Sequence, residues 1–286
     1  MTFRLAAVQP RSFSEANEHR NVDVALKWME RAREAGADLV AFPEGFPGPT
    51  NPANHYDAVQ ALCDRASALK LHVVGNGLEP AGDGKYHVSS FLIDDRGEVV
   101  GSYLRTSPSG PYIYRDIKAW DFDYADSSQA PRVIQTRFGK VGILTCSEVY
   151  VPELARILAL QGADLIIYPS GGAINELLPT WRTMVWARAI ENHIYTTAIQ
   201  NIYSDDEEGV GTIASPESVV ALATGAGMMV ADIDTDRLAF LRDRDEHIEF
   251  PKPYRTPPGL MRWRRPELYA ALTAESAASK VGSGIV

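Results

Sequence analysis

Short apolar runs alternate along the chain with segments in which apolar residues recur at helical spacing. Residues 4–9 and the runs ADLVAFPEG and LHVVGNG have the composition of buried strands. Helices are predicted over residues 15–35, which Gly36 is placed to end, and over residues 56–69. Because strands and helices follow one another in this way, the pattern predicts an α/β fold.

The second half of the chain combines hairpins with further strand–helix units. Hairpins are predicted in VSSFLIDDRGEVVGSYLR, turning at residues 95–97, and in RVIQTRFGKVGILTC, turning at residues 138–140. Helices over residues 152–161 and 180–192 precede the strands ADLIIYPSG and IYTTAIQ, and GTIASPESVVALAT and GMMVADID complete the sheet. These connections indicate mixed sheets covered by helices, in one unit spanning residues 1–286. The tail, residues 244–286, is expected to cover the surface or contact a partner subunit.

Composition narrows the class of protein. The 286 residues are 45% hydrophobic and 23% charged, with a net charge of −9, so the chain has no overall bias toward nucleic acid or an anionic membrane. No apolar run approaches the ~20 residues of a transmembrane helix, and the first residues lack the form of a secretory signal. The 2 cysteines make no disulfide framework, so a cytoplasmic protein is expected. The 6 histidines show no metal-ligand spacing.

Three polar residues follow predicted strands. Glu44 follows LVAFP, Arg105 follows VVGSYL and Cys146 follows VGILT. Ligands of α/β sheets gather at the carboxyl ends of strands, so these side chains are candidates for one site. There the carboxylate takes the thiol proton, the thiolate attacks a carbonyl or nitrile carbon, and the cation stabilises the oxyanion.

Each of these residues also has a purely structural interpretation. A cysteine after an apolar run is usually a small buried residue, Glu44 beside a proline suits an exposed turn, and Arg105 suits a strand edge. Taken singly, these structural interpretations are favoured. The three residues together, with the motifs around them, favour chemistry.

Four motifs carry a resemblance to a known family. They are FPEGF, GILTCSEVYVPELARILALQGADLIIYPSG, WARAIENHIY and GTIASPESVVALAT, the last matching only in part. In this order and spacing the chain resembles the nitrilase superfamily, the carbon–nitrogen hydrolases, over residues 6–269. The resemblance implies a four-layer α-β-β-α sandwich, a homodimer or higher homo-oligomer packed through helix faces, and no metal or organic cofactor. It also implies a Glu-Lys-Cys triad, with Glu44 as general base, Cys146 as nucleophile and the Ser147 backbone N–H as an oxyanion donor.

The chain departs from the family at the lysine. The family reads Tyr-Arg-Lys-x-His-Leu where this chain reads YLRTSP, so Arg105 stands at the lysine position. Arginine remains protonated, with a pKa above ~12, and can hold an oxyanion through its N–H fork. It cannot readily give up a proton and take it back. Proton transfer would then fall to Glu44 or to water.

The loop after this strand departs as well. The family often has a second glutamate here, but SPSGPYIYRDIKAWDFDYADS has none. An aspartate is a candidate substitute, and Lys118 could replace the missing lysine, although a solvated side chain is the favoured interpretation of Lys118. The candidate aspartates are Asp116, Asp121 and Asp123.

Three further side chains are expected to contact substrate. Tyr112 lies in the aromatic loop, whose rings suit a pocket wall or simple packing of the loop. Glu148 would face the same way as Cys146 if the strand continued. Asn201 ends a strand at the expected mouth of the site.

The sequence predicts a cysteine-dependent, amidase-like hydrolase that cleaves a small amide or N-carbamoyl compound through a thioester. Nitriles are less favoured, because Ser147 stands where many nitrilases have tryptophan. Two alternatives remain open because of Arg105 and the shared covalent intermediate. One is an altered or inactive protein of the same fold with a binding role, and the other is an acyltransferase that uses an amine in place of water.

Overall fold

The computed structural model describes residues 1–51, 54–82, 84–107, 130–172, 175–244 and 251–274, and the backbone of residues 121–122. The strands are β1 (Thr2–Gln9), β2 (Leu39–Ala41), β3 (His72–Gly82), β4 (Lys85–Ile93), β5 (Val99–Leu104), β6 (Asp121–Phe122), β7 (Ile134–Thr136), β8 (Gly139–Ile143), β9 (Leu165–Ser170), β10 (Tyr195–Gln200), β11 (Thr212–Ser215), β12 (Ser218–Leu222) and β13 (Gly227–Asp234). The helices are α1 (Arg20–Glu34), α2 (Ala58–Leu69), α3 (Pro152–Leu160), α4 (Leu178–Asn192), α5 (Thr235–Asp243) and α6 (Ala270–Thr273).

The strands form two mixed sheets. The first sheet has the order β13-β1-β2-β3-β4-β5, with β6 paired to β4, and the second has the order β12-β11-β10-β9-β8-β7. Strands β1, β2 and β3 run parallel, as do β8, β9 and β10, whereas the hairpin partners are antiparallel. The carboxyl ends of these parallel strands therefore bring polar residues from both sheets to one region.

The core has three apolar layers. One lies between the sheets and includes Leu5, Ala41, Val141 and Ile167, all fully buried. Another lies between the first sheet and the faces of α1 and α2. The third lies on the outer face of the second sheet, where α4 packs on β10 and β11. The predicted α-β-β-α sandwich is confirmed.

Two features of the last third of the fold were not predicted. Helix α5 begins where the Asp234 side chain accepts a hydrogen bond from the Arg237 backbone N–H at 2.9 Å, which caps its first turn. Strand β13 pairs with β1 along its whole length, from Thr2 opposite Asp234 to Gln9 opposite Gly227. It therefore forms an edge of the first sheet and does not belong to the second. Among the described residues, none of the helices is long and apolar enough to cross a membrane.

Candidate active site

Cys146 sits at a sharp turn just beyond β8. Thr145 is extended, and Cys146 has a φ of +55°, in the left-handed region that non-glycine residues seldom adopt. A 3-10 helix, Cys146–Tyr150, begins at this point. Because of this turn the strand does not continue to Glu148, so the condition under which Glu148 would face the same way as Cys146 is not met. The turn also leaves the Ser147 backbone N–H in the first helical turn, where amide groups lack intrahelical acceptors.

The Glu148 side chain stabilises this turn through hydrogen bonds to the backbone. Its Oε2 accepts from the Thr145 N–H at 2.7 Å, while the Thr145 hydroxyl accepts from the Glu148 N–H, a capping box. Its Oε1 accepts from the N–H groups of Thr106 and Ser107 at 2.9 and 3.0 Å and from the Tyr103 hydroxyl at 2.8 Å. Burial raises the pKa of this carboxyl, whereas the Arg105 charge and these donors oppose that shift. Glu148 thus ties the segment that carries Cys146 to the segment that carries Arg105.

Glu44 is held at the carboxyl end of β2. Its Oε1 lies 2.8 Å from Arg105 Nη1, and its Oε2 accepts from the Gly171 N–H at 3.0 Å. Asn201 fixes the backbone here, because its Nδ2 donates to the Glu44 carbonyl at 2.7 Å and to the Gly171 carbonyl at 3.3 Å. The Asn201 Oδ1 accepts from the Ser12 hydroxyl at 2.7 Å, so both ends of the amide are bound to protein.

Arg105 is buried, with a side chain that is 0% exposed. Its Nε donates to the Ser107 carbonyl at 2.9 Å, Nη1 donates to Glu44, and Nη2 donates to the Ser147 hydroxyl at 2.6 Å. The planar guanidinium therefore lies between the carboxylate and the residue that follows Cys146. The structure does not place Arg105 on an exposed strand edge.

The charged groups around Cys146 shift the pKa of its thiol in opposite directions. Burial and the Glu44 carboxylate raise the pKa of the thiol, the Arg105 charge and a hydrogen bond from the Gly171 N–H lower it, and the resulting pKa is about 12. The Glu44 contribution includes a hydrogen bond with the thiol itself. A protonated thiol next to a carboxylate is suited to nucleophilic attack coupled to proton transfer, because a general base then removes the proton as the sulfur attacks.

The raised pKa of Cys146 has a consequence for stability at alkaline pH. An unfolded thiol loses its proton near the ordinary value of 9.0, whereas the folded thiol keeps it to about 12. Above pH 9 the native state binds more protons, so the free energy of unfolding should fall with rising pH, by up to about 1.4 kcal/mol per pH unit from this group. Urea denaturation near pH 8 and near pH 10.5 should show a smaller loss for Cys146→Ser than for the wild type. Equal losses in the two proteins would contradict this account.

Some predicted residues lie outside the described part of the chain. They are Tyr112, Asp116, Lys118 and Asp123, and only the backbone of Asp121 is described. Elsewhere, Arg188 and Glu191 form an ion pair at 2.7 Å, and Arg188 also donates to the Val149 carbonyl within the 3-10 helix at 2.9 Å.

The sequence reasoning missed two groups at this site. Gly171 directly follows β9, and its N–H contacts both Glu44 and Cys146. The Thr145 cap was also missed, although Thr-x-x-Glu is the sequence signature of a capping box and stands directly around the cysteine.

A buried carboxylate, a thiol and a fixed cation within hydrogen-bonding reach can together perform acyl transfer. The sequence profile described as Carbon-nitrogen hydrolase matches residues 4–243. The chain belongs to the carbon-nitrogen hydrolase family.

Two curated proteins are similar in sequence to this carbon-nitrogen hydrolase. It is 25% identical over 256 residues to Omega-amidase NIT3 of Saccharomyces cerevisiae, covering 81% of this chain and 87% of that protein. It is 26% identical over 195 residues to Nitrilase homolog 2 of Dictyostelium discoideum, covering 64% of this chain but 59% of the relative.

Two solved structures share the fold of this carbon-nitrogen hydrolase. The carbon-nitrogen hydrolase of Helicobacter pylori G27 superposes with a TM-score of 0.78 at 18% identity, over 96% of this chain and 99% of that one. A mutant amidase of Nesterenkonia sp. AN1, with the acetamide moiety of fluoroacetamide on its active-site cysteine, superposes with a TM-score of 0.70 at 24% identity, over 85% and 93% of the two chains. Membership of this family makes the protein a hydrolase of carbon–nitrogen bonds other than peptide bonds, and its relatives include an omega-amidase.

Proposed function

We propose that the protein cleaves a small amide or N-carbamoyl compound through a thioester on Cys146. The observation that carries this proposal is the contact of one carboxylate, Glu44, with both the Cys146 thiol and the Arg105 guanidinium. Base, nucleophile and cation are then all in place before substrate binds, which is the preorganisation that acyl transfer needs.

In the first half of the reaction, the Cys146 sulfur attacks the substrate carbonyl carbon. The thiol proton passes to Glu44 as the carbon–sulfur bond forms, and the carbonyl oxygen becomes an oxyanion. Arg105 and the Ser147 backbone N–H are the proposed donors to that oxygen. The protonated Glu44 then gives its proton to the leaving nitrogen, the carbon–nitrogen bond breaks, and ammonia or an amine departs.

In the second half, Glu44 takes a proton from water, and the hydroxide attacks the thioester carbon. The carbon–sulfur bond breaks, the carboxylic acid leaves, and the sulfur regains its proton from Glu44. Each proton that Glu44 accepts is returned within the same half-reaction. Arg105 therefore needs only to hold charge and never to lose a proton, which suits an arginine.

Other residues receive narrower roles in this proposal. Glu148 and Asn201 act as positioning residues, because their polar atoms are bound to backbone groups on either side of the site. This replaces the substrate contact expected for each of them. A substrate contact by Tyr112, the homo-oligomer and the cytoplasmic location stay predictions from the sequence.

The proposal is tested by intact-protein mass spectrometry after mixing with a panel of small amides, N-carbamoyl compounds and nitriles. Removing the second cysteine with Cys63→Ser leaves one thiol, so an added acyl mass reports on Cys146 alone. We expect an acyl adduct in this background and none in the Cys63→Ser/Cys146→Ala variant.

The same experiment separates the alternatives. An adduct that yields a new amide when an amine is added would favour an acyltransferase over a hydrolase. Absence of any adduct across the panel, from a protein that binds a member of the panel, would favour the binding role.

A further inference from the structure

A buried chain of polar side chains lies beneath the site and joins the two sheets. It consists of Asn76 on β3, Ser90 on β4 and Thr145 after β8, and all three are 0% exposed. We refer to these three residues as the inter-sheet bridge. Asn76 and Ser90 belong to the first sheet, as does the strand before Glu44, whereas Thr145 lies just after β8 of the second sheet and directly precedes Cys146.

One end of the inter-sheet bridge holds the Glu44 loop. Asn76 Oδ1 accepts from the Gly45 N–H at 2.6 Å, and the Asn76 backbone N–H donates to the Phe46 carbonyl at 2.9 Å. Gly45 is the next residue after Glu44, and its φ of +68° marks a turn at that point. Asn76 therefore fixes the backbone from which the Glu44 carboxylate projects.

The other end holds the residue before the nucleophile. Asn76 Nδ2 donates to Ser90 Oγ at 2.8 Å, and Ser90 Oγ lies 3.4 Å from Thr145 Oγ1. Asn76 and Ser90 are direct partners in the β3–β4 pairing, so the first link is set by the register of the sheet. The link from Ser90 to Thr145 then crosses from one sheet to the other.

The space between the sheets is otherwise filled mainly by apolar side chains. Apolar packing is strong but non-directional, so it does not by itself fix the position of one sheet against the other to a fraction of an ångström. A buried hydrogen bond is directional, and leaving either partner unpaired costs free energy. The Ser90–Thr145 contact adds a directional link between the sheets to those that Glu148, Gly171 and Asn201 make at the site, and so contributes to the distance between residues that the two sheets carry.

We propose that the inter-sheet bridge is a positioning device that holds the Glu44 carboxylate against the Cys146 thiol. The proposal rests on the proposed function in that Glu44 is taken as the base and Cys146 as the nucleophile. It assigns Asn76 and Ser90 an effect on catalysis although neither has a place in the reaction described above. A misplacement of about 1 Å in a reacting group can cost roughly 10²-fold in rate.

The test compares two neighbouring serines in the Cys63→Ser background. Ser90→Ala removes the hydroxyl in the middle of the inter-sheet bridge, whereas Ser89→Ala removes a hydroxyl of similar burial on the opposite face of β4, where it lines an outer pocket. Two rates are measured: amide turnover, and alkylation of Cys146 by iodoacetamide near neutral pH. Alkylation needs proton removal from the thiol but no turnover, so it tests the bridge even if no amide substrate is found.

We expect Ser90→Ala to lower kcat roughly 10- to 100-fold with little change in KM, and to slow alkylation about tenfold. Ser89→Ala should match the parent in both. Retention of the parent's alkylation rate by Ser90→Ala, or an equal loss in Ser89→Ala, would overturn the proposal.

A second pair of variants covers the case in which Ser90→Ala does not fold. Thr145→Ser keeps the hydroxyl at the far end of the inter-sheet bridge together with its bond from the Glu148 N–H, and Thr145→Val replaces the hydroxyl with a methyl group and so removes both contacts. The serine variant should keep the alkylation rate and the valine variant should lose about tenfold. Equal rates in the two variants would overturn the proposal.

Discussion

Replacing Glu44 with glutamine is expected to lower kcat by roughly 10²–10⁴-fold, the range that general acid–base catalysis contributes. The amide keeps the shape of the side chain but cannot take the thiol proton, and burial still raises the pKa of the Cys146 thiol when the carboxylate is gone. Without the base, few thiols are ionised near neutral pH. Steady-state turnover of an amide substrate measures the loss, and turnover close to that of the wild type would rule out Glu44 as the base.

The same substitution should also destabilise the fold, because it removes the carboxylate that Arg105 Nη1 contacts at 2.8 Å inside the protein. Removing one partner of a buried ion pair typically costs about 3–5 kcal/mol. Glu30→Gln is the matched control, since Glu30 pairs with Arg65 at 2.6 Å but is 47% exposed, and exposed pairs contribute only about 0–1 kcal/mol. Urea denaturation of both variants gives the comparison.

A double variant separates charge balance from chemistry. Glu44→Gln/Arg105→Met removes both members of the pair, and replacing a buried ion pair with apolar groups is often neutral for stability. The double variant should recover much of the free energy of unfolding lost in Glu44→Gln but none of the turnover. If turnover returned together with stability, the loss in Glu44→Gln would have been structural.

The residues of the site that sequence could predict are those at the ends of strands. Glu44, Arg105 and Cys146 each follow an apolar run, and the carboxyl ends of the strands before them, β2, β5 and β8, lie at the same end of the two sheets, where ligands of α/β folds gather. That rule is independent of side-chain orientation. It was enough to bring the three together and to raise the question of an arginine at the lysine position.

The roles of Glu148 and Asn201 could not be predicted in the same way, because they depend on the direction in which each side chain points. A left-handed φ at Cys146 turns the chain into a 3-10 helix, so strand alternation no longer says where Glu148 points. Asn201 is a strand-end residue as predicted, but its amide bonds to the Glu44 and Gly171 carbonyls and to Ser12, contacts that the strand pattern does not contain.

The inter-sheet bridge and the position of β13 in the first sheet could not be predicted from the sequence, because both depend on contacts between residues far apart in the chain. Ser90 and Thr145 lie 55 residues apart, and β13 pairs with a strand at the other end of the chain. Hairpins and helices are predictable because their partners are close in sequence. Which sheet a late strand joins, and which polar side chains meet between two sheets, is set by packing of the whole chain.

Arg105→Lys is expected to lower kcat/KM roughly 10²-fold, not to raise it. The guanidinium donates to three acceptors in different directions: the Ser107 carbonyl, Glu44 and the Ser147 hydroxyl. A lysine ammonium has no Nε–H and a single nitrogen, so it cannot reproduce this planar fork. It would keep the charge but lose the fixed position, and loss of one oxyanion donor costs about 10²–10³-fold in rate.

The control for this substitution is Arg242→Lys. Arg242 also makes three contacts, to Asp164 and to the carbonyls of Ala163 and His193, but at the amino-terminal end of β9, away from Cys146. It should lose stability without losing kcat. A loss of kcat confined to Arg105→Lys would mean that arginine is part of a working site whose neighbours, Ser147 among them, fit its shape. A large gain in turnover from Arg105→Lys would instead mean that the wild-type site has lost the lysine that its chemistry needs.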